Sequence, residues 1–213
     1  MKKVNKRRFF LAGCLLATFI LWTGLVYFMD VKPIGPQGSS VCFSTVNKLV
    51  HDLTGVHMWL YTVTDWLGLV PLLFAVGFAL LGLIQWIQRK KLLNVDYSIL
   101  VLGGFYLATM ALYIFFETVV INYRPILIDG FFKASYPSST TILVLCVMPT
   151  AILQFRTRIK NNTFRQCTNA VITAFILFMV VGRLISGVHW VTDIVGGILL
   201  SWGLVILYRA VIA

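Results

Sequence analysis

Residues 66–88 read WLGLVPLLFAVGFALLGLIQWIQ and contain no charged side chain. As an α-helix this segment would be about 35 Å long, and the hydrocarbon core of a bilayer is about 30 Å thick. A charge at the centre of a bilayer is costly, whereas a helix satisfies its own backbone polar groups. The segment therefore predicts a helix that spans a membrane.

The composition of the whole chain supports the same conclusion. Of the 213 residues, 59% are hydrophobic and only 12% are charged, and the mean hydropathy is +0.89. Soluble domains carry about 25% charged and about 45–50% apolar residues. These values exclude an ordinary soluble domain, a disordered chain, a collagen and a disulfide-stabilised scaffold.

Outward from this segment, similar stretches of low charge recur along the chain. The six candidate spans are residues 9–29, 66–88, 97–121, 137–155, 169–185 and 192–213. We predict an all-α fold, in which residues 1–213 form one membrane-embedded bundle of six transmembrane helices. Four glycines within these spans would let neighbouring helices approach closely: Gly103, Gly104, Gly196 and Gly197.

A short helix is predicted between the first two spans, because Val46, Leu49, Val50 and Leu53 recur at helical spacing. It would lie along the membrane interface. Two interpretations stay open: the segment covers a site on the outer face, or it is a passive connector.

The distribution of basic residues predicts the orientation, because Lys and Arg concentrate on the cytoplasmic side. With both termini in the cytoplasm, that side holds 13 of the 18 Lys and Arg residues. We therefore predict a multi-pass cell-membrane protein whose basic N-terminal segment is a retained anchor. The net charge of +11 then reflects topology and contact with anionic lipids, and no nucleic-acid partner is predicted.

Three polar clusters fall on the predicted outer side, each at the end of a span. They are the sequences NYRP at 122–125, YPSSTT at 136–141, and Gly182-Arg183 followed by His189 and Asp193. Each cluster has an ordinary explanation when taken alone: an interfacial arginine, a helix cap, and a His–Asp pair one helical turn apart. Their convergence on one side indicates a shared function.

A lipid phosphate group would need the chemistry that these clusters offer. The guanidinium groups of Arg124 and Arg183 match the geometry of phosphate oxygens, and the start of a helix at Ser138 supplies further N–H donors. A neutral imidazole at His189 could attack phosphorus if the carboxylate of Asp193 stabilised the cation that forms.

A metal site is the alternative interpretation of His189 and Asp193. It would need further ligands, which only Asp129, His51 or His57 could supply. The nearby arginines would repel a cation, so we predict a site that uses no metal and no other cofactor.

In this order, the three clusters resemble the type 2 phosphatidic acid phosphatase superfamily, integral-membrane lipid phosphatases related to vanadium haloperoxidases. The family signature is Arg-Pro, then Pro-Ser-Gly-His, then Ser-Arg, five residues, His, three residues and Asp. The resemblance implies that His189 forms a phosphohistidine, that Asp193 orients it, and that Arg183 takes part in catalysis. It also implies a phosphate-binding set: Arg124, Ser138, Ser139, Thr140 and Arg183.

The sequence departs from that signature at three positions. Gly182 replaces the leading Ser of the third motif, Glu117 stands where the family often has a Lys, and Thr140 replaces the His that serves as general acid. A threonine hydroxyl cannot donate a proton as an imidazolium does. The substitution favours a lipid pyrophosphate, whose leaving group is a weaker base than an alkoxide, unless His51 or His57 supplies the proton.

The predicted function is hydrolysis of a phosphorylated membrane lipid at the outer face. The candidate substrates are undecaprenyl pyrophosphate, phosphatidic acid and phosphatidylglycerol phosphate. Two other classes remain open: a catalytically impaired relative that binds or transports such a lipid, and a small transporter with Arg124 and Arg183 along an anion path. No oligomeric state is predicted.

Overall fold

The computed structural model describes residues 2–213, with side chains from Asn5 onward. The helices are α1 (Lys2–Phe28), α2 (Ser44–Thr54), α3 (Met58–Leu67), α4 (Leu69–Arg89), α5 (Tyr97–Thr118), α6 (Ser139–Arg158), α7 (Asn162–Ile185) and α8 (Val191–Val211). Six of the helical segments are long and apolar enough to cross a membrane. The predicted all-α fold with six candidate spans is confirmed.

The second span begins earlier than predicted. Helices α3 and α4 together form one apolar segment, Met58–Arg89, of 32 residues, interrupted at Gly68. The prediction began at residue 66 because Asp65 ended the stretch without charge, but the structure includes Asp65 in α3. The polar residues of α3 therefore belong to the N-terminal end of this span.

The fifth span also begins earlier, at Asn162 rather than at residue 169. The side chain of Asn161 accepts a hydrogen bond from the backbone N–H of Phe164 and so caps the helix. This capping signal lies before the apolar part of the helix, where hydropathy alone does not detect it.

The predicted helix between the first two spans is present as α2, and it is fixed to the bundle. Asn47 is completely buried. Its side chain donates to the hydroxyl of Thr192 at the start of α8 (3.0 Å) and to the carbonyl of Cys42 (2.8 Å). Helix α2 is therefore more than a passive connector, because it is fastened beside the third motif.

Helices α6 and α8 form the centre of the bundle. In the most apolar 18-residue stretch of each helix, about half of the residues are buried: 56% in α6 and 50% in α8, compared with 17% in α1. Helix α1 packs along α8, whereas α4, α5 and α7 surround α6. Both central helices carry motif residues at their N-terminal ends, so the most buried helices of the fold support the candidate site.

A glycine allows the close approach of α8 to the segment before α6. A Cβ atom at Gly196 would lie 2.6 Å from the ring of Tyr136, a distance that would force a neighbour to move. Gly103 and Gly104 were expected to serve similar approaches between helices, but a Cβ atom at either position would meet open space. That expectation was wrong, because this face of α5 packs against nothing.

The charged residues that were assigned to the cytoplasm lie at one end of the bundle. Asp96 forms salt bridges with Arg89 (3.0 Å) and Arg158 (3.3 Å). A hydrogen bond from Gln85, with help from the two arginines, holds the pKa of Asp96 below its ordinary value. The three motifs lie at the other end of the same helices.

Candidate active site

The loop between α5 and α6 brings the first two motifs together. The first and last segments of this loop pair in antiparallel fashion. The N–H of Arg124 donates to the carbonyl of Lys133 (3.2 Å), and the N–H of Ser135 donates to the carbonyl of Asn122 (2.9 Å). The guanidinium of Arg124 also donates through Nε to the carbonyl of Ala134 (3.3 Å). Arg124 is therefore fixed next to the segment that leads into α6.

Two hydrogen bonds attach the third motif to the other two. The indole Nε1 of Trp190 donates to the carbonyl of Tyr123 (2.8 Å), which precedes the arginine of the first motif. The N–H of Ser138 donates to the carbonyl of Asp193 (3.1 Å). The three motifs, up to 71 residues apart in sequence, therefore form one hydrogen-bonded unit.

Ser135 lies between the predicted nucleophile and its carboxylate. The hydroxyl of Ser135 donates to Oδ2 of Asp193 (2.5 Å) and lies 3.2 Å from Nδ1 of His189. The direct distance from His189 Nδ1 to Asp193 Oδ2 is 3.6 Å, too long for a good hydrogen bond. The carboxylate therefore acts on the imidazole chiefly through Ser135.

This arrangement differs from the predicted pair on one helical face. Helix α8 begins at Val191, so His189 precedes the helix rather than lying one turn before Asp193 within it. The same Oδ2 of Asp193 accepts the backbone N–H of Trp190 (2.8 Å). The carboxylate thus caps the helix that carries it and fixes the bend that presents His189.

The surroundings of His189 favour a neutral imidazole. The carbonyl of Ser135, 3.2 Å from Nδ1, can only accept a hydrogen bond, so the proton belongs on Nδ1 and the lone pair on Nε2. Nε2 is buried and has no hydrogen-bond partner in the described part of the chain. Burial, together with the positive charges of Arg124 and Arg183, lowers the pKa of His189 well below its ordinary value.

The two arginines of the site meet over the ring of Tyr61 on α3. The guanidinium carbon of Arg183 lies 5.0 Å from the ring centroid and that of Arg124 lies 5.9 Å from it. Arg183 is 1% exposed. Its polar contacts are long: 3.4 Å to the hydroxyl of Thr64 and 3.5 Å to the carboxylate of Asp65.

These contacts leave Arg183 poorly compensated for its loss of water. Its Nε is buried and makes no hydrogen bond to the residues that the structure describes. Burial of a charge is unfavourable unless a counter-charge and hydrogen bonds replace the lost hydration. The arrangement therefore favours an anion next to Arg183.

The glycine at the head of the third motif has a structural reason. A Cβ atom at Gly182 would lie 2.9 Å from the methyl group of Thr64. A serine at this position would push α3 away from α7. The glycine therefore allows α3 to approach Arg183 closely enough to hold it.

A polar cleft of about 350 Å³ opens beside the arginines. Besides apolar side chains, its lining contains three basic residues, three acidic residues and the first turn of α6. These polar residues are Arg124, Arg183, Lys133, Asp65, Glu117, Asp129, Ser139 and Thr140, with Tyr61 and Tyr113. The N–H groups in the first turn of a helix have no partner within that helix, so the start of α6 offers donors at the edge of this cleft.

The structure brings most of the predicted site residues to this cleft, but not all of them. Arg124, Arg183, Ser139 and Thr140 line it. Ser138 and His189 are buried and are not part of the lining. The hydroxyl of Ser138 accepts a hydrogen bond from the hydroxyl of Thr141 (3.0 Å), so this side chain is engaged within the first turn of α6.

The histidines of the outer segment do not reach the cleft lining. The ring of His57 contacts the carbonyl of Thr54 through Nε2 (3.0 Å). The ring of His51 lies 5.5 Å from that of Trp190. Within residues 2–213, no group of three His, Cys, Asp or Glu side chains is arranged to hold a metal ion.

Sequence reasoning did not identify Ser135, Tyr61 or Lys133 as part of the site. A single serine before the second motif carries no recognisable pattern, because its importance comes from the pairing of two loop segments. Tyr61, Thr64 and Asp65 did give a signal. Their spacing places these three polar residues on one face of a mostly apolar helix.

Comparison with known proteins agrees with the motif analysis. The sequence model of the PAP2 superfamily matches residues 118–213, the part of the chain that contains all three motifs. The resemblance inferred from the motifs is confirmed. No sequence among curated proteins matches the chain.

A solved structure shares the fold over almost the whole chain. It is the crystal structure of a transmembrane PAP2-type phosphatidylglycerolphosphate phosphatase from Bacillus subtilis. The TM-score is 0.60, the sequence identity is 17%, and the match covers 93% of each chain. At this identity the similarity establishes the architecture, which is that of a multi-pass membrane protein.

Proposed function

We propose that this chain, which has the PAP2 fold and its three motifs, is an integral-membrane lipid phosphatase. One observation carries the proposal. Two guanidinium groups, those of Arg124 and Arg183, converge over one tyrosine ring beside a polar cleft, and their charges act on a buried imidazole whose Nε2 has no hydrogen-bond partner among the described residues.

The surroundings of the cleft support a lipid as substrate. The cleft adjoins an apolar cavity of about 260 Å³, with which it shares Leu72, Tyr113, Ser139 and Leu143. That cavity continues into an apolar groove of about 780 Å³ between α4 and α5. A molecule with an anionic head and a hydrocarbon tail would occupy both environments at once.

The proposed mechanism proceeds through a phosphohistidine. Nε2 of His189 attacks phosphorus as the bond from phosphorus to the leaving oxygen of the lipid breaks, while Arg124 and Arg183 bind the phosphoryl oxygens and stabilise the charge of the transition state. Positive charge develops on the imidazole as the bond forms. Ser135, with Asp193 behind it, stabilises that charge through Nδ1. A water molecule then hydrolyses the phosphohistidine and restores the enzyme.

The residue at position 140 bears on the substrate class. General acid catalysis is worth about 10²–10⁴ in rate, and the threonine hydroxyl cannot supply it. A phosphate leaving group needs little protonation, whereas an alkoxide needs much. We therefore expect a lipid pyrophosphate such as undecaprenyl pyrophosphate to react at least as fast as phosphatidic acid or phosphatidylglycerol phosphate.

A lipid-binding protein without catalysis is the second candidate. It is favoured by the burial of His189 behind the cleft lining and by Thr140 in the position of the acid. The free Nε2 and the Ser135–Asp193 support of His189 favour the enzyme, because a protein that only binds phosphate has no need of a supported nucleophile.

The test is phosphate release from a panel of lipid phosphates and pyrophosphates by purified protein in detergent. We expect His189→Ala to abolish release, and Asp193→Asn to lower kcat by about 10³–10⁴, as loss of the orienting carboxylate does in hydrolytic triads. His57→Gln is the matched control, since it removes an outer histidine that does not line the cleft, and it should retain full activity.

Two added reagents, vanadate and a chelator, extend the same assay. Vanadate resembles the five-coordinate phosphoryl transition state and should inhibit, whereas a chelator should leave the rate unchanged if catalysis is independent of metal. Phosphate release by His189→Ala at the wild-type rate would contradict the mechanism. Tight binding of a lipid phosphate without any release would identify the second candidate instead.

A further inference from the structure

The proposed reaction leaves one proton without a donor, and the cleft lining contains few groups that could provide it. Tyrosine, lysine and threonine side chains hold their protons too tightly near neutral pH to be effective acids. The remaining candidates are three carboxyl groups, those of Asp65, Glu117 and Asp129. The choice among them rests on their positions.

Asp65 is already engaged. Its Oδ1 pairs with the guanidinium of Arg183 at 3.5 Å, so this carboxylate is the counter-charge of a buried arginine. Asp129 lies in a tight turn of the loop between α5 and α6, between Ile128 and Phe131, which form an isolated bridge. It is carried by this loop and not by a helix.

Glu117 is the carboxyl group that is placed against the first turn of α6. It lines the polar cleft together with Thr140, and it also borders a narrow crevice with Pro137 and Ser139. Neither Asp65 nor Asp129 borders that crevice. Glu117 is exposed at the end of α5, so it can exchange protons with solvent between turnovers.

Glu117 also lies near the phosphate-binding charges. Tyr113, one turn before Glu117 on α5, lines the same cleft as Arg124. An anion bound next to a carboxyl group favours the protonated form of that group, because two negative charges repel each other. A phosphate held by Arg124 and Arg183 in this cleft would lie beside Glu117.

We propose that Glu117 is the general acid of the reaction, acting on the leaving oxygen of a lipid phosphate monoester. This inference rests on the proposed function. In the first step the bond from His189 Nε2 to phosphorus forms as the bond from phosphorus to the lipid oxygen breaks. The proton of the Glu117 carboxyl group moves to that oxygen, and the lipid leaves as an alcohol.

The second step needs no proton from Glu117. Water attacks phosphorus, the bond from phosphorus to Nε2 breaks, and both protons of the water leave on the inorganic phosphate. The imidazole is neutral again, and the carboxylate of Glu117 takes up a proton from solvent. With this residue in place, both monoesters and pyrophosphates are substrates, and only the monoesters depend on Glu117.

The experiment compares two substrates that share the same acyl chains, phosphatidic acid and diacylglycerol pyrophosphate. For Glu117→Gln we expect kcat/KM on phosphatidic acid to fall by about 10²–10⁴, the usual worth of an acid catalyst. On the pyrophosphate we expect a fall of less than about tenfold, because its leaving group needs little protonation. The pyrophosphate activity also shows that the variant is folded.

Two further variants sharpen the comparison. Asp52→Asn removes an exposed carboxylate of α2 that does not line the cleft, and it should leave both activities unchanged. Adding Thr140→His to Glu117→Gln places an imidazole in the first turn of α6 and should restore at least part of the monoester activity.

Other outcomes overturn the proposal. Equal losses on both substrates would mean that Glu117 only shapes the cleft, and no loss on either would mean that it has no role. A selective loss in Asp129→Asn, with none in Glu117→Gln, would assign the acid to Asp129. Failure of the wild-type protein to release phosphate from either lipid would instead reject the proposed phosphatase function.

Discussion

At the scale of single residues, Ser135 connects His189 to Asp193, which are too far apart for a good direct hydrogen bond. Serine hydroxyls can accept and donate at the same time, so the residue can transmit the charge of the carboxylate to the imidazole. The motif spacing predicted that His189 and Asp193 would act together. It could not predict the residue between them, because Ser135 reaches the site only through the pairing of the loop with Asn122.

Substitution of Ser135 tests this connection. A hydrogen bond to a charged group is worth about 1.5–3 kcal/mol, which corresponds to about 10- to 150-fold in rate. Ser135→Ala should therefore lower kcat by this factor and change KM little, since Ser135 does not line the cleft. Steady-state kinetics measure kcat and KM separately. An increase in KM at constant kcat would show that Ser135 acts on substrate binding instead.

The ionisation of His189 gives a second test at this scale. Burial and two neighbouring arginines lower its pKa well below 6.5, so the imidazole stays neutral as the pH falls through that value. The protein has three histidines. In imidazole ¹⁵N NMR of the detergent-solubilised protein, the signal that is lost in His189→Ala should keep its neutral shift at pH 6, and a midpoint near 6.5 would contradict the assignment.

At the scale of elements, the close packing of the start of α6 against α8 positions the second motif. Hydropathy predicted the existence of both helices, and the pair Gly196-Gly197 predicted a close contact. Neither pattern predicted that Tyr136 is the residue packed against Gly196, because Tyr136 lies outside the apolar span. The same reasoning failed at Gly103 and Gly104, since a small residue permits a close approach but does not bring a neighbour.

The pair of positions 196 and 104 offers a matched test of this packing. Gly196→Ala places a methyl group 2.6 Å from the ring of Tyr136 and should destabilise the protein by about 1–3 kcal/mol. Gly104→Ala meets open space within α5 and should leave stability unchanged or slightly raised. Thermal unfolding in detergent measures both, and similar melting temperatures for the two variants would show that Tyr136 yields without cost.

At the scale of the whole molecule, one end of the bundle collects Arg89, Asp96 and Arg158, and the opposite end holds the cleft. The sequence predicted this separation because successive spans run in opposite directions across the membrane. The basic residues and the motifs therefore fall at opposite ends of the spans. The contents of the cleft were only partly predictable. Its basic residues include Lys133, which lies in the outer loop, and its three carboxylates come from three separate segments.

The proposed orientation can be measured in intact cells. The two exposed native cysteines, Cys14 and Cys167, are first replaced by serine. Asp129→Cys, beside the cleft, should then react with a maleimide that cannot cross the membrane, whereas Lys160→Cys at the other end should react only after permeabilisation. The reverse pattern would place the cleft in the cytoplasm and contradict the proposed topology.

The attachment of the outer segment has a practical consequence for protein engineering. The N–H of His57 donates to the carbonyl of Ser186 (3.0 Å), and Asn47 holds Thr192, so residues 44–57 are anchored on both sides of His189. A chimera that exchanges this segment for that of another protein would disturb the alignment of the imidazole even if the new segment never met the lipid. A loss of turnover in such a chimera would therefore carry no information about which headgroup is recognised.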